Sequence, residues 1–239
     1  MKVLILNDKK SVAKKVAEII TRQIKDNPKL ILGLPTGETV IPLYKELSDR
    51  HQNKKIDFSK VKTFNLDEYL GLDSDDKNSF HYFMQSHLFK NVNVKPKNIN
   101  FPPQKNPHSY DTLIKTSGGI DLTLLGIGRN GHIAFNEPGS SKKSNTRVIK
   151  LSDSTRSSNS HLFQDRKVPL RAVTLGITTI LKSKKIILIA TGKDKAEIIA
   201  KTLKAKPSPL IPASFLKRHR KTLLILDRDA ASLVKNSGS

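Results

Sequence analysis

Gly126–Pro138 reads GIGRNGHIAFNEP. The apolar run Leu122 to Leu125, with Thr123 inside it, leads into this stretch and reads as a buried strand. Gly126 and Gly128 end that strand, and Asn130-Gly131 is a turn dipeptide that tolerates positive φ. His132 follows at once and Glu137 stands five residues on. Side chains that can move protons therefore sit just past the carboxyl end of a strand, where open α/β sheets bind ligands. Taken alone, one His and one Glu near glycines fit a plain surface turn equally well. The rest of the chain decides between the two readings.

Outward from this stretch, apolar runs alternate with helical spacings. Strands are expected at Val3–Leu6, Leu30–Leu34, Val61–Asn65, Lys184–Ala190 and Thr222–Leu226, with weaker ones at Asn98–Phe101, Arg147–Leu151 and Pro169–Leu175. Helical spacing marks Lys9 to Ile24, Val40 to Ser48, Ser79 to Phe89, Tyr110 to Lys115 and Thr191 to Leu203. Strands without period-two patterning, alternating with helices, predict a mostly parallel sheet covered by helices on both faces. No internal repeat or linker is evident, so the expectation is a single Rossmann-like α/β domain over residues 1–239.

Two further strand exits carry candidate binding groups. Leu34 runs into Pro35-Thr36-Gly37-Glu38-Thr39 and then a helix, a layout that points backbone N–H groups at an anion. It lacks the lysine and spacing of a Walker loop. The strand VKTFN delivers Leu66, Asp67, Glu68 and Tyr69 to the same edge. Paired carboxylates at a strand end usually cap the next turn; the alternative is that one enters a cleft as a base.

The composition narrows the classes. The chain has 239 residues, no cysteine and 36% hydrophobic residues, so thiolate chemistry and disulfides are excluded and a folded core is within reach. Val3–Leu6 is too short for a signal peptide or membrane span, and a cytoplasmic protein with no membrane partner is expected. The formal net charge is +22. Lysines are spread along the whole chain and are not interleaved with aromatic residues, which argues against a nucleic-acid partner and for a surface that attracts small phosphorylated substrates.

Four stretches in this order resemble the glucosamine-6-phosphate deaminase family: GLPTGETVIPLY (33–44), TFNLDEYLGL (63–72), GIGRNGHIAFNEPGSS (126–141) and TGKDKAEII (191–199). The second and third are the specific ones. The related 6-phosphogluconolactonases share the fold and loop order but lack the FNLDEY and HIAFNEP wording. The resemblance implies a deaminase of amino-sugar catabolism, classed as a hydrolase, that turns glucosamine 6-phosphate and water into fructose 6-phosphate and ammonia. It implies that His132 handles the ring-opening protons, that Glu137 holds and charges His132, and that Asp67 carries the C2 proton toward C1. It places the phosphate at Thr36, Gly37, Glu38 and Thr39, with Lys195 as a point charge and His161 where most members have arginine. It requires no metal and no organic cofactor.

Three positions depart from the family's usual pattern. Asn130 stands where many members have Asp and cannot supply charge to His132. Glu38 would repel a phosphate unless it pointed away, and His161 lacks arginine's bidentate fork. Some members are activated at a subunit interface. Ser141 and Arg147 match part of that site but Ile149 stands in place of its lysine, so a monomer or small homo-oligomer without that regulation is expected. A lactonase-type hydrolase and a non-catalytic sugar-phosphate sensor are the alternatives. Asp67 discriminates the deaminase from the lactonase, because C2–H exchange needs it and lactone hydrolysis has no evident job for it.

Overall fold

Leu122–Leu125 is buried at every position, as a strand covered on both faces must be. In the computed structural model, which describes residues 1–163 and 166–234, it is β6 of ten strands. The others are β1 (Lys2–Leu6), β2 (Ile31–Leu34), β3 (Lys62–Asn65), β4 (Asp67–Tyr69), β5 (Ile99–Asn100), β7 (Arg147–Lys150), β8 (Arg171–Thr174), β9 (Lys185–Ala190) and β10 (Thr222–Asp227). The helices are α1 (Lys9–Asp26), α2 (Ile41–Gln52), α3 (Phe80–His87), α4 (His108–Thr116), α5 (Asp153–Asn159), α6 (Ile177–Leu181) and α7 (Ala196–Lys204).

Seven strands form one sheet in the order β1-β10-β9-β6-β2-β3-β5, and every neighbouring pair is parallel. Side chains alternate between two cores. Leu122, Leu124, Ile187 and Ile189 pack with α1, α2 and α3 on one face. Leu125, Ile186 and Leu188 pack with α4, α6 and α7 on the other. Helix α1 shows the local logic. Asp8 caps it by accepting from the Ser11 amide, and Val12, Val16, Ile20 and Ile24 bury one stripe. The single α/β domain with helices on both faces matches the sequence expectation. No helix among the described residues is long and apolar enough to cross a membrane.

From β2 the chain moves outward to β3 and β5; from β6 it moves the other way to β9 and β10. The crevice between β2 and β6 is therefore a topological switch point, where ligands bind beyond the carboxyl ends of the strands.

The sequence did not reveal a second sheet. Asp67–Tyr69, which the sequence placed only at the exit of the strand VKTFN, is strand β4, and it joins β8 and β7 in an antiparallel sheet ordered β4-β8-β7. Only Leu66 separates β4 from β3, so this small sheet stands over the carboxyl end of the large one. Tyr69, Phe80, Phe135 and Phe163 fill the space beneath it.

Candidate active site

Four adjacent strands of the large sheet, β9, β6, β2 and β3, deliver the candidate residues other than His161. Beyond β6 the backbone turns back on itself: the Gly128 amide donates to the His132 carbonyl at 3.0 Å. The imidazole folds over Gly128 so closely that a Cβ there would lie 2.1 Å from His132 Cε1. Only glycine leaves room for the ring. Asn136, fully buried, pins the far side of the loop by donating to the carbonyls of Ile133 at 3.0 Å and Leu175 at 2.8 Å.

Asn130, His132 and Glu137 form a relay. His132 Nδ1 lies 2.8 Å from Asn130 Oδ1, and Asn130 Nδ2 donates to Glu137 Oε2 at 2.7 Å. A carboxylate only accepts, so it fixes the amide with its oxygen toward the ring. The His132 amide also donates to that oxygen, at 3.1 Å. His132 Nδ1 must then carry its proton, which leaves Nε2 as the lone-pair nitrogen. The direct separation of His132 Nδ1 from Glu137 Oε2 is 3.7 Å, too long for a good hydrogen bond. The expectation is that Glu137 holds and charges His132; in the structure the amide of Asn130 stands between them and makes the hydrogen bonds to both. Ser152, at the start of α5, donates to Glu137 Oε1 at 3.1 Å through its hydroxyl and at 3.3 Å through its amide. Burial pushes the Glu137 carboxyl up. The pull of the His132 ring and of the surrounding hydroxyl and amide donors outweighs this and holds it at about 2.

The carboxylate pair after β3 is divided between two jobs. Glu68 accepts from the amides of Tyr69, Phe80 and His81 at 2.8, 2.9 and 2.9 Å, so it caps the first turn of α3. Charge-assisted bonds of this kind contribute about 1.5–3 kcal/mol each, which accounts for a carboxylate at 4% exposure. Asp67 is equally buried without such a set of donors. Burial drives its carboxyl up to about 8; the charge of Glu68 adds to this and a backbone bond from Phe135 opposes it. Asp67 pairs with Thr174 across the small sheet, and Thr174 Oγ1 accepts from the Phe135 amide at 3.0 Å. Thr174 thus ties the Asp67 strand to the His132 loop.

On the other side of β6 from β9, Leu34 leads through Thr36 and Gly37 into a 3₁₀ turn at Glu38–Val40 and then α2. Gly37 has φ 104°, a left-handed conformation that favours glycine. The first amides of such a turn have no acceptor within it and remain available to an anion. The exit of β9 repeats the design: Gly192, φ 91°, opens a 3₁₀ turn at Lys193–Lys195. Lys195 lies there with its side chain 18% exposed and Nζ 3.5 Å from Asp194 Oδ2. Asp194 is shared with Arg129, of the β6 loop, at 3.2 Å.

His161 lies in a 3₁₀ turn at Ser160–Leu162, and its Nε2 is 3.0 Å from Glu38 Oε1. The structure thus brings His161 to the Thr36–Thr39 loop but gives it a carboxylate as partner, so Glu38 faces the very group expected to bind phosphate. Beside the relay, a cleft of about 410 Å³ is lined by Glu137, Ser141, Arg147 and Ile149 among others. Arg147 is engaged by Asn136 Oδ1 at 3.0 Å and Ser140 Oγ at 3.1 Å. The sequence assigned no site role to Ser152 or Thr174 and placed Gly128 only as a strand end, not as the room for the His132 ring. Ser152 carries a local signal, since it caps α5 by accepting from the Thr155 amide, but its tie to Glu137 does not follow from spacing.

The family model described as glucosamine-6-phosphate isomerases/6-phosphogluconolactonase matches residues 8–225. The glucosamine-6-phosphate deaminase of Thermoanaerobacter sp. (strain X514) is 43% identical over 241 residues, covering 98% of this chain and 95% of the relative. That of Clostridium novyi (strain NT) is 45% identical over 239 residues, covering 97% and 99%. The solved structure of a monomeric glucosamine-6-phosphate deaminase superposes with a TM-score of 0.93 at 40% identity, covering 98% of this chain and 100% of that one. The 6-phosphogluconolactonase from Leishmania guyanensis shares the fold, with a TM-score of 0.75 at 21% identity over 100% and 99% of the two chains. The class of hydrolase expected from the sequence is corrected by these relatives: those 43% and 45% identical along the whole chain are named deaminases, and the lactonase at 21% identity is related at the level of fold. The chain belongs to the glucosamine-6-phosphate isomerase/6-phosphogluconolactonase family.

Proposed function

We propose that this chain is an enzyme that isomerises and deaminates glucosamine 6-phosphate, releasing fructose 6-phosphate and ammonia. The observation that carries the reading is the pairing of a His132 whose Nε2 is left as the base with a buried Asp67 carboxyl that no donor set commits elsewhere. The phosphate sits on the amides of the Thr36–Thr39 turn, with Lys195 across the switch point as counter-charge. His132 Nε2 takes the O1 proton of the closed sugar and returns a proton to the ring oxygen, which opens the ring. Asp67, once ionised, takes the C2 proton and delivers it to C1. A carboxyl held near 8 is a stronger base when ionised than an ordinary carboxylate, which suits a carbon acid. Water then replaces the amine at C2 and ammonia leaves. Relay, base and phosphate turn all come from one chain, which supports a monomer as the working unit.

The test is ammonia release from glucosamine 6-phosphate, run beside hydrolysis of 6-phosphogluconolactone. Ammonia from the first and no hydrolysis of the second is the expected result. Folded protein that releases none above background overturns the reading.

A further inference from the structure

Spread along the sequence, the lysines argue against a polyanionic partner; collected by the fold, they argue for one. In a parallel sheet all strands begin at one end, and that end is remote from the switch-point cleft. Across it, Lys2 opens β1, Lys221 precedes β10, Lys184 precedes β9, Lys29 precedes β2, Lys60 precedes β3 and Lys97 precedes β5. All six are exposed. Neighbouring strands lie about 4.8 Å apart, so the row is on the order of 30 Å long.

Carboxylates are scarce along this row. In the loops that lead from helix to strand, among the described residues, they are Asp57 and Asp121. Both are already engaged: Asp121 by the Ile31 amide at 2.8 Å and Lys184 Nζ at 2.7 Å, and Asp57 by the Ser59 amide at 2.9 Å and Asn93 Nδ2 at 2.7 Å. The opposite end holds Asp8, Glu38, Asp67, Asp76, Glu137 and Asp194 among its strand exits. The surplus of +22 is therefore weighted toward the strand-start end. Helix C-termini favour cations and explain part of this. They do not explain Lys2 or Lys60, which lie beyond the last turn of any helix.

We propose that this end of the sheet is a docking surface for the phosphate backbone of a nucleic acid, bound without sequence preference. A linear row of exposed ammonium groups complements a linear polyanion, and charge alone suffices for such binding. None of the exposed large apolar residues lies in the loops that lead into β2, β3, β5, β6 and β9, among the described residues; exposed Leu170 leads into β8 of the small sheet, and exposed Leu210 lies in the α7–β10 connection beside Pro209, whose carbonyl accepts from the Gly139 amide at the opposite end. The surface thus lacks both the wedge that would enter a lipid layer and the apolar anchor that centres most protein interfaces.

The test is an anisotropy titration of the full chain with a random-sequence DNA duplex of about 20 base pairs at several salt concentrations. The logarithm of the affinity should fall against the logarithm of salt with a slope of about −5, near one unit for each lysine engaged. The triple variant Lys29→Gln, Lys60→Gln and Lys97→Gln should flatten that slope by about three units. Lys9→Gln, Lys10→Gln and Lys77→Gln remove the same charge from the opposite end and should leave it unchanged. Matching circular dichroism spectra establish that both variants fold. No binding at low salt overturns the proposal. Equal weakening by the two triples also overturns it, because net charge would then suffice. Anionic lipid vesicles that bind the chain more tightly than the duplex, with the same dependence on the first triple, would reassign the surface to membranes and overturn it as stated.

Discussion

Asn130 Oδ1 and His132 Nδ1 lie 2.8 Å apart, with the other end of the amide on Glu137. A neutral group thus sets the tautomer of the imidazole while the nearest full charge is held back at 3.7 Å. The ring is thereby oriented with Nε2 as its lone-pair nitrogen, the one that can accept a proton.

Asn130→Asp tests this separation of orientation from charge. A carboxylate at 130 can still accept from Nδ1 but cannot donate to Glu137, and it brings negative charge against the ring. The imidazolium is then favoured, so the acid limb of kcat/KM should move to higher pH by about one unit. The measurement is a pH profile for glucosamine 6-phosphate. An unmoved acid limb would show that Asn130 does not govern His132.

Gly128→Ala probes the same ring through space. The added methyl lies 2.1 Å from Cε1, and the backbone cannot give way because the Gly128 amide is bonded to His132. The ring must swing off Asn130. Turnover should fall by about 10²–10⁴, the contribution of a positioned general base, while the melting temperature changes far less. A variant that turns over at the parent rate would place the catalytic nitrogen elsewhere.

These relationships differ in how far the sequence discloses them. The relay lies at residues 130–137, within twelve positions of the end of an apolar run, so the strand, the turn and the participants could all be read from Leu122 to Glu137. The small sheet could not: β4 reads DEY, three polar or amphipathic residues, and becomes a strand only because β8, more than a hundred residues on, pairs with it. The split of Asp67 from Glu68 was invisible for a related reason. It depends on α3 starting where Glu68 can reach its amides. Glu38 and His161 are 123 residues apart and meet only in the folded chain.

Asp67 links activity to stability. Asp67→Asn keeps the shape but cannot accept the C2 proton, so turnover should fall by about 10²–10⁴ with binding retained. Folding raises this carboxyl from the ordinary range near 4 to about 8. Between those limits the native chain holds a proton that the unfolded chain has lost, so the parent loses stability as pH rises. The amide has no such slope. The melting temperature of Asp67→Asn should exceed the parent's, and by more at about pH 8 than at about pH 5. An equal difference at both would mean that Asp67 is not held protonated by its surroundings.

In the proposed phosphate site, Glu38 is set to compete with the substrate. Its carboxylate holds His161 at 3.0 Å, at the turn proposed to bind the phosphate, where an arriving dianion would either displace it or meet its repulsion. Both side chains are more than half exposed, and exposed pairs of this kind contribute about 0–1 kcal/mol, so the phosphate can displace the carboxylate. Glu38→Gln should therefore lower KM for glucosamine 6-phosphate by about two- to fivefold and leave kcat alone. The gain should shrink as salt is added, because the charges are exposed. His161→Gln should raise KM more in the Glu38→Gln background than in the parent, where the ring is already occupied. That non-additivity is the signature of two groups contending for one partner. Additive effects would separate His161 from the phosphate, and an unchanged KM in Glu38→Gln would mean that the carboxylate turns away when substrate binds.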